Sequence, residues 1–130
     1  MKMFYLKNYA ISITLSTVIL VLCMMSPSDF PDAPMSNFDK IVHWIMFMGL
    51  SGTVFFDGTD YFRKKISNLH LFWGSFVFPI VFSGLIEILQ EYVTPFRTGD
   101  WGDFLFDVIG ALCGLVICWR INKRLTSPVQ

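Results

Sequence analysis

Four apolar segments take up most of this chain and leave little else to fold. They run approximately over Asn8–Met25, Lys40–Asp57, Leu69–Tyr92 and Asp103–Trp119. A helix needs about 20 apolar residues to cross the hydrocarbon of a bilayer. Four such helices use up most of 130 residues, so the whole chain reads as one domain. Hydrophobic residues make up 54% and charged ones only 15%, too little polar surface to cover a small soluble protein.

The charges are sorted along these segments. Eight of ten Lys and Arg fall on the N-terminal tail, the middle loop and the C-terminal tail: Lys2, Lys7, Arg63, Lys64, Lys65, Arg120, Lys123 and Arg124. Eight of ten Asp and Glu fall at the opposite ends: Asp29, Asp32, Asp39, Glu87, Glu91, Asp100, Asp103 and Asp107. Basic loops stay cytoplasmic, which predicts both termini inside and the acidic ends outside. Short loops make consecutive helices antiparallel neighbours. The expected fold is therefore all-α: an integral membrane four-helix bundle, up-down-up-down, in a plasma membrane. A net charge of zero without a basic face argues against nucleic acid as a partner.

Lys2 and Lys7 before an apolar run look like the start of a signal peptide, but no small-x-small cleavage site follows. A retained first helix is expected, and because it carries no charge it reads as a packing helix. Pro27, Pro31 and Pro34 mark an extended first loop. Cys23, Cys113 and Cys118 lie in apolar segments without metal-like spacing and read as packing residues. Gly110 and Gly114 form a small-xxx-small pair, suited to close packing within the bundle or to a homodimer seam. Monomer and homodimer both stay open.

Helix length argues that several polar residues lie too deep to be caps. From Asp107 to Trp119 the uncharged run is short, about 18 Å at 1.5 Å per residue, against a core of about 30 Å. Asp107 and Asp103 then reach the outer hydrocarbon boundary. His43 lies one turn inside, and Glu87 sits at the boundary with Gln90 and Glu91 above it. Ionisable groups at that depth cost at least a few kcal/mol unless paired or wetted, about 2.5–3.5 by insertion scales. They should face the bundle interior. The spacings permit it: Asp39 and His43 are four apart, Glu87, Gln90 and Glu91 share a face, and Asp103, Asp107, Gly110 and Gly114 form one stripe. Arg97 enters from the third loop, between Pro95 and Gly99.

With these residues assembled, the chain resembles the VanZ-like family. The matching stretches are Asp39-Lys40-Ile41-Val42-His43, Glu87-Ile88-Leu89-Gln90, and Arg97-Thr98-Gly99-Asp100-Trp101-Gly102-Asp103 leading into Asp107-Val108-Ile109-Gly110. Their order and spacing span residues 39 to 114. The family often has Asn where this chain has Asp107, so one negative charge is added here. The family's namesake is associated with resistance to teicoplanin-type glycopeptides, so the resemblance implies bacterial envelope work, without a reaction.

Two classes of function fit the residues. In a binding module, Lys40, His43 and Arg97 receive an anionic headgroup, a membrane lipid or a lipid-linked cell-wall precursor, while Glu87, Gln90, Asp100, Asp103 and Asp107 complete the pocket. In an enzyme, His43, Glu87, Asp103 and Asp107 hold a divalent cation that polarises a lipid-linked phosphate. Against catalysis, no dense Asp-x-x-x-Asp or His-x-x-x-His pattern sits on one helix. No cofactor is expected beyond such a cation. A third reading is a polar lattice that registers the helices. Pocket shape discriminates: an open cavity beside Arg97 and Glu87 favours a ligand, and a closed set of mutual pairs favours the lattice.

Overall fold

The computed structural model describes residues 8–25, 37–62, 68–96 and 98–126. Among them are four helices and no strands: α1 (Ala10–Met24), α2 (Phe38–Phe62), α3 (Asn68–Tyr92) and α4 (Trp101–Thr126). Three of them contain stretches long and apolar enough to cross a membrane: Phe38–Thr59, Leu69–Tyr92 and Trp101–Leu125. The second and fourth helices run several residues past their expected ends. The first is shorter than a span needs. Its 15 residues rise about 22 Å. Met25 already has extended backbone, with φ −68° and ψ 150°. Pro27 lies just beyond, and proline disfavours helical backbone in the residue before it.

The core explains the helix pairing. On α4 the buried positions are Asp103, Asp107, Gly110, Ala111, Gly114, Leu115 and Cys118, a stripe with helical spacing. That stripe lies against α2. A Cβ on Gly110 would collide with the Trp44 carbonyl, and one on Gly114 with the Met48 carbonyl. The two glycines thus let two backbones touch within one chain. Lys40 pairs with Asp103 and His43 with Asp107, and Gly52 lies beside Cys118, so residue numbers rise together along α2 and α4. Ile19 and Cys23 of α1 pack on Phe47, Leu50 and Ile86. None of the three cysteines forms a disulfide.

Polarity is inverted relative to a soluble protein. Among the described residues, ten buried polar or charged residues accompany nine buried hydrophobic ones, while Ile11, Val81, Leu85, Ile88 and Leu105 lie more than half exposed. Apolar side chains facing outward around a polar interior suit a hydrocarbon solvent.

Several buried polar side chains serve neighbouring backbone. Proline has no N–H, so Pro79 inside α3 leaves the Ser75 carbonyl without its helical donor. The Ser51 hydroxyl of α2 donates to that carbonyl at 2.9 Å. Both ends of α1 are served in the same way. Tyr9 makes no side-chain cap bond, and the Asp57 carboxylate of α2 accepts the Ser12 N–H at 3.0 Å and its hydroxyl at 2.7 Å. At the other end the Gln90 amide donates to the Cys23 carbonyl at 2.9 Å. Cys23 precedes Pro27 by four residues, so that carbonyl has no helical donor in the sequence.

Candidate functional site

The first turns of α2 and α4 and the last turns of α3 meet at one end of the bundle. Asp100 opens α4. Its carbonyl accepts the Asp103 N–H at 3.0 Å, and its carboxylate accepts the Gly102 N–H at 2.7 Å, the geometry of a helix N-cap. The strand of chain before it folds back on α3. The Gly99 N–H donates to Glu91 Oε2 at 2.8 Å, and the Asp100 N–H donates to Glu87 Oε2 at 2.7 Å. A Cβ on Gly99 would sit 2.9 Å from the Glu87 carbonyl, so this close return requires glycine.

Lys40 lies between two carboxylates, with Nζ 2.8 Å from Asp100 Oδ2 and 2.8 Å from Asp103 Oδ1. Asp103 is buried and Asp100 is half exposed. The Lys40 ammonium beside it, with help from the Gly102 N–H, holds the Asp100 carboxyl below the usual carboxylate range. One turn deeper, His43 Nδ1 lies 3.0 Å from Asp107 Oδ1, with both side chains almost fully buried. The Ser83 hydroxyl of α3 donates to Asp107 Oδ2 at 2.5 Å. Glu87 is 4% exposed, and its Oε1 has no hydrogen-bond partner among the described residues.

The structure thus brings together Lys40, His43, Glu87, Asp100, Asp103 and Asp107. Gln90 does not join them, because its amide turns to the Cys23 carbonyl of α1. Arg97 lies outside the described residues. Of the groups suited to a metal, ring or carboxylate atoms of His43, Glu87 and Asp107 lie within 4.8 Å of one another, as do those of Asp39, His43 and Asp103. Ser83 escaped the sequence reading. Its signal was its place four residues before Glu87 on the same helix face. Asp57 also escaped it, although an acid at the basic end of α2 breaks the charge pattern.

Arg97, one border of the expected cavity, lies outside the described residues, so the pocket-shape criterion rests on the pairs alone. Lys40, Asp103, Asp107 and His43 form mutual pairs, whereas Glu87 Oε1 stays uncommitted. A cavity of about 470 Å³ lies elsewhere, lined in part by Tyr9, Ser12, Thr17, Val54, Gly74 and Phe78. Comparison with curated proteins and with solved structures returned no match. The VanZ/LLP1 family profile, by contrast, matches residues 3–122, nearly the whole chain and all of the polar cluster. This helical membrane protein belongs to the VanZ/LLP1 family.

Proposed function

We propose that this protein crosses the bacterial plasma membrane several times, up-down-up-down with both termini cytoplasmic. Its polar end then lies at the outer leaflet and receives an anionic headgroup of the envelope. The headgroup belongs to a membrane lipid or a lipid-linked wall precursor. The observation that carries this reading is the convergence of α2, α3 and α4 on one buried charged cluster, into which Asp100, three residues after Arg97, is bound.

The charge count shapes the ligand contact. Lys40 already spends its charge on Asp100 and Asp103. The anion therefore relies on Arg97, whose planar guanidinium suits phosphate or carboxylate. Mass spectrometry of lipids retained after gentle extraction tests this. Wild-type protein should hold a phosphate-bearing lipid that Arg97→Ala loses and Arg97→Lys holds weakly. An identical lipid set in all three overturns the reading. Envelope protection against teicoplanin-type glycopeptides follows if the bound lipid is a wall precursor. Cysteine labelling tests the orientation: an external reagent should reach Ser36→Cys and miss Ser67→Cys.

The mutual pairs of Lys40 support a second reading, in which the cluster is a lattice that clamps the α3–α4 connection. Under it, Arg97→Lys lowers the melting temperature while lipid retained per folded molecule stays constant.

A further inference from the structure

Glu87 and Asp107 offer four carboxylate oxygens, and the structure commits three of them. Asp107 Oδ2 accepts the Ser83 hydroxyl, and Asp107 Oδ1 faces His43 Nδ1. Glu87 Oε2 accepts the Asp100 N–H. The fourth, Glu87 Oε1, is buried without a partner among the described residues. A bare carboxylate oxygen at this depth calls for a positive partner. The adjacent cation Lys40 is held by Asp100 and Asp103.

We propose that His43, Glu87 and Asp107 form a binding site for one divalent transition-metal cation of the manganese type. The three side chains come from three different helices, so such an ion would tie α2, α3 and α4 together. Their ligand atoms lie within 4.8 Å of one another. An octahedral ion with bonds of about 2.1 Å spaces neighbouring ligands about 3 Å apart and opposite ones about 4.2 Å. The 3.0 Å between His43 Nδ1 and Asp107 Oδ1 already equals the shorter spacing. The donor set also selects the ion. Two carboxylates with one imidazole suit a first-row divalent cation better than Ca²⁺ or Mg²⁺, and Mn²⁺ is the carboxylate-preferring member of that series.

The surroundings have the form of a built site. The Ser83 hydroxyl and the Asp100 N–H hold one oxygen of each carboxylate; the ion would take the bare Glu87 Oε1 and replace the His43 Nδ1–Asp107 Oδ1 hydrogen bond by bonds to both atoms. Asp39 and Asp103 form a competing group with His43, but Asp39 is exposed and Asp103 serves Lys40. The buried trio is therefore the site. It needs no headgroup, and its test contains no added lipid.

The test is titration of the full chain in detergent with MnCl₂, followed by calorimetry and by electron paramagnetic resonance. Wild-type protein should bind one Mn²⁺ per chain and show coupling to an imidazole nitrogen. Glu87→Gln and Asp107→Asn, both close in shape, should each weaken binding at least about tenfold, and Ser83→Ala about tenfold. Glu91→Gln removes a carboxylate outside the trio that accepts the Gly99 N–H, and should leave Mn²⁺ affinity unchanged. Two results overturn the site. One is equal Mn²⁺ affinity in wild type and Glu87→Gln, which marks adventitious binding. The other is no stoichiometric binding by wild type, which gives Glu87 Oε1 to a proton or water. Should the variants fail to fold, the wild-type spectrum decides alone: bound Mn²⁺ without nitrogen coupling rejects His43 as a ligand.

Discussion

The polar groups around α1 and those around Glu87 both include buried side chains and differ in how they are satisfied. At the start of α1, Asp57 accepts two donors from Ser12; at its end, Gln90 donates to Cys23; in mid-bundle, Ser51 donates to the Ser75 carbonyl freed by Pro79. Each of these contacts answers a backbone or side-chain need that the sequence itself creates. At the charged end, Lys40 and His43 are paired, but Glu87 keeps one oxygen without a partner among the described residues. In hydrocarbon a polar group survives only with a partner. A complete set of partners marks a joint, and an incomplete one marks a place where something else binds.

The largest effect expected from breaking a joint is at Asp57. Asp57→Ala leaves the Ser12 N–H and hydroxyl without their acceptor and should destabilise the protein by about 1.5–3 kcal/mol, the range for bonds to a charged group. Thermal melting in detergent measures it, and Mn²⁺ binding should be unaffected. A loss below about 0.5 kcal/mol, the floor for a hydrogen bond's net worth, would remove α1 from the joined structure.

Ser51→Ala comes next. It takes away the donor to the Ser75 carbonyl and should cost about 1 kcal/mol, typical of polar contacts between membrane helices. Pro79→Ala restores an N–H to α3, so on that background the same substitution should cost much less. Equal costs on both backgrounds would separate Ser51 from the proline.

The smallest effect concerns pH. Asp100, outside the spans, has its carboxyl held below the ordinary value of 3.8 by Lys40. Its contribution to stability is present above that value and is lost as pH falls through the lower folded value. Because the group is half exposed, the effect is small. Fluorescence of the neighbouring Trp101 should stay flat from about pH 8 to about pH 5 and change only under about pH 4, where a free Asp is already about half protonated. A transition near neutrality would assign the change to another group.

Much of the charged end was legible before the fold. The cost of ionisable groups in hydrocarbon forces them inward, and the helical spacing of Asp103, Asp107, Gly110 and Gly114 names the face. Four helices followed from apolar run lengths, although the first proved too short to match the other three. The joints were harder to see. Gln90 lies three residues after Glu87, about 60° round the helix, which is enough to turn it toward α1. What names its acceptor is Pro27, four residues after Cys23, just as Pro79 names Ser75. Proline positions therefore say which carbonyls need a donor, but which helix supplies it depends on packing. Asp57 was readable only as an exception to the charge pattern.

The most direct test of the contrast is a pair of melts in metal-free detergent, with Glu87→Gln and Ser51→Ala measured beside wild type. If the charged end is a binding site with an oxygen to spare, Glu87→Gln removes a buried unpaired charge, and its Tm should equal or exceed that of wild type while Ser51→Ala melts lower. A Glu87→Gln protein that loses as much stability as Ser51→Ala would make Glu87 another joint and contradict the account.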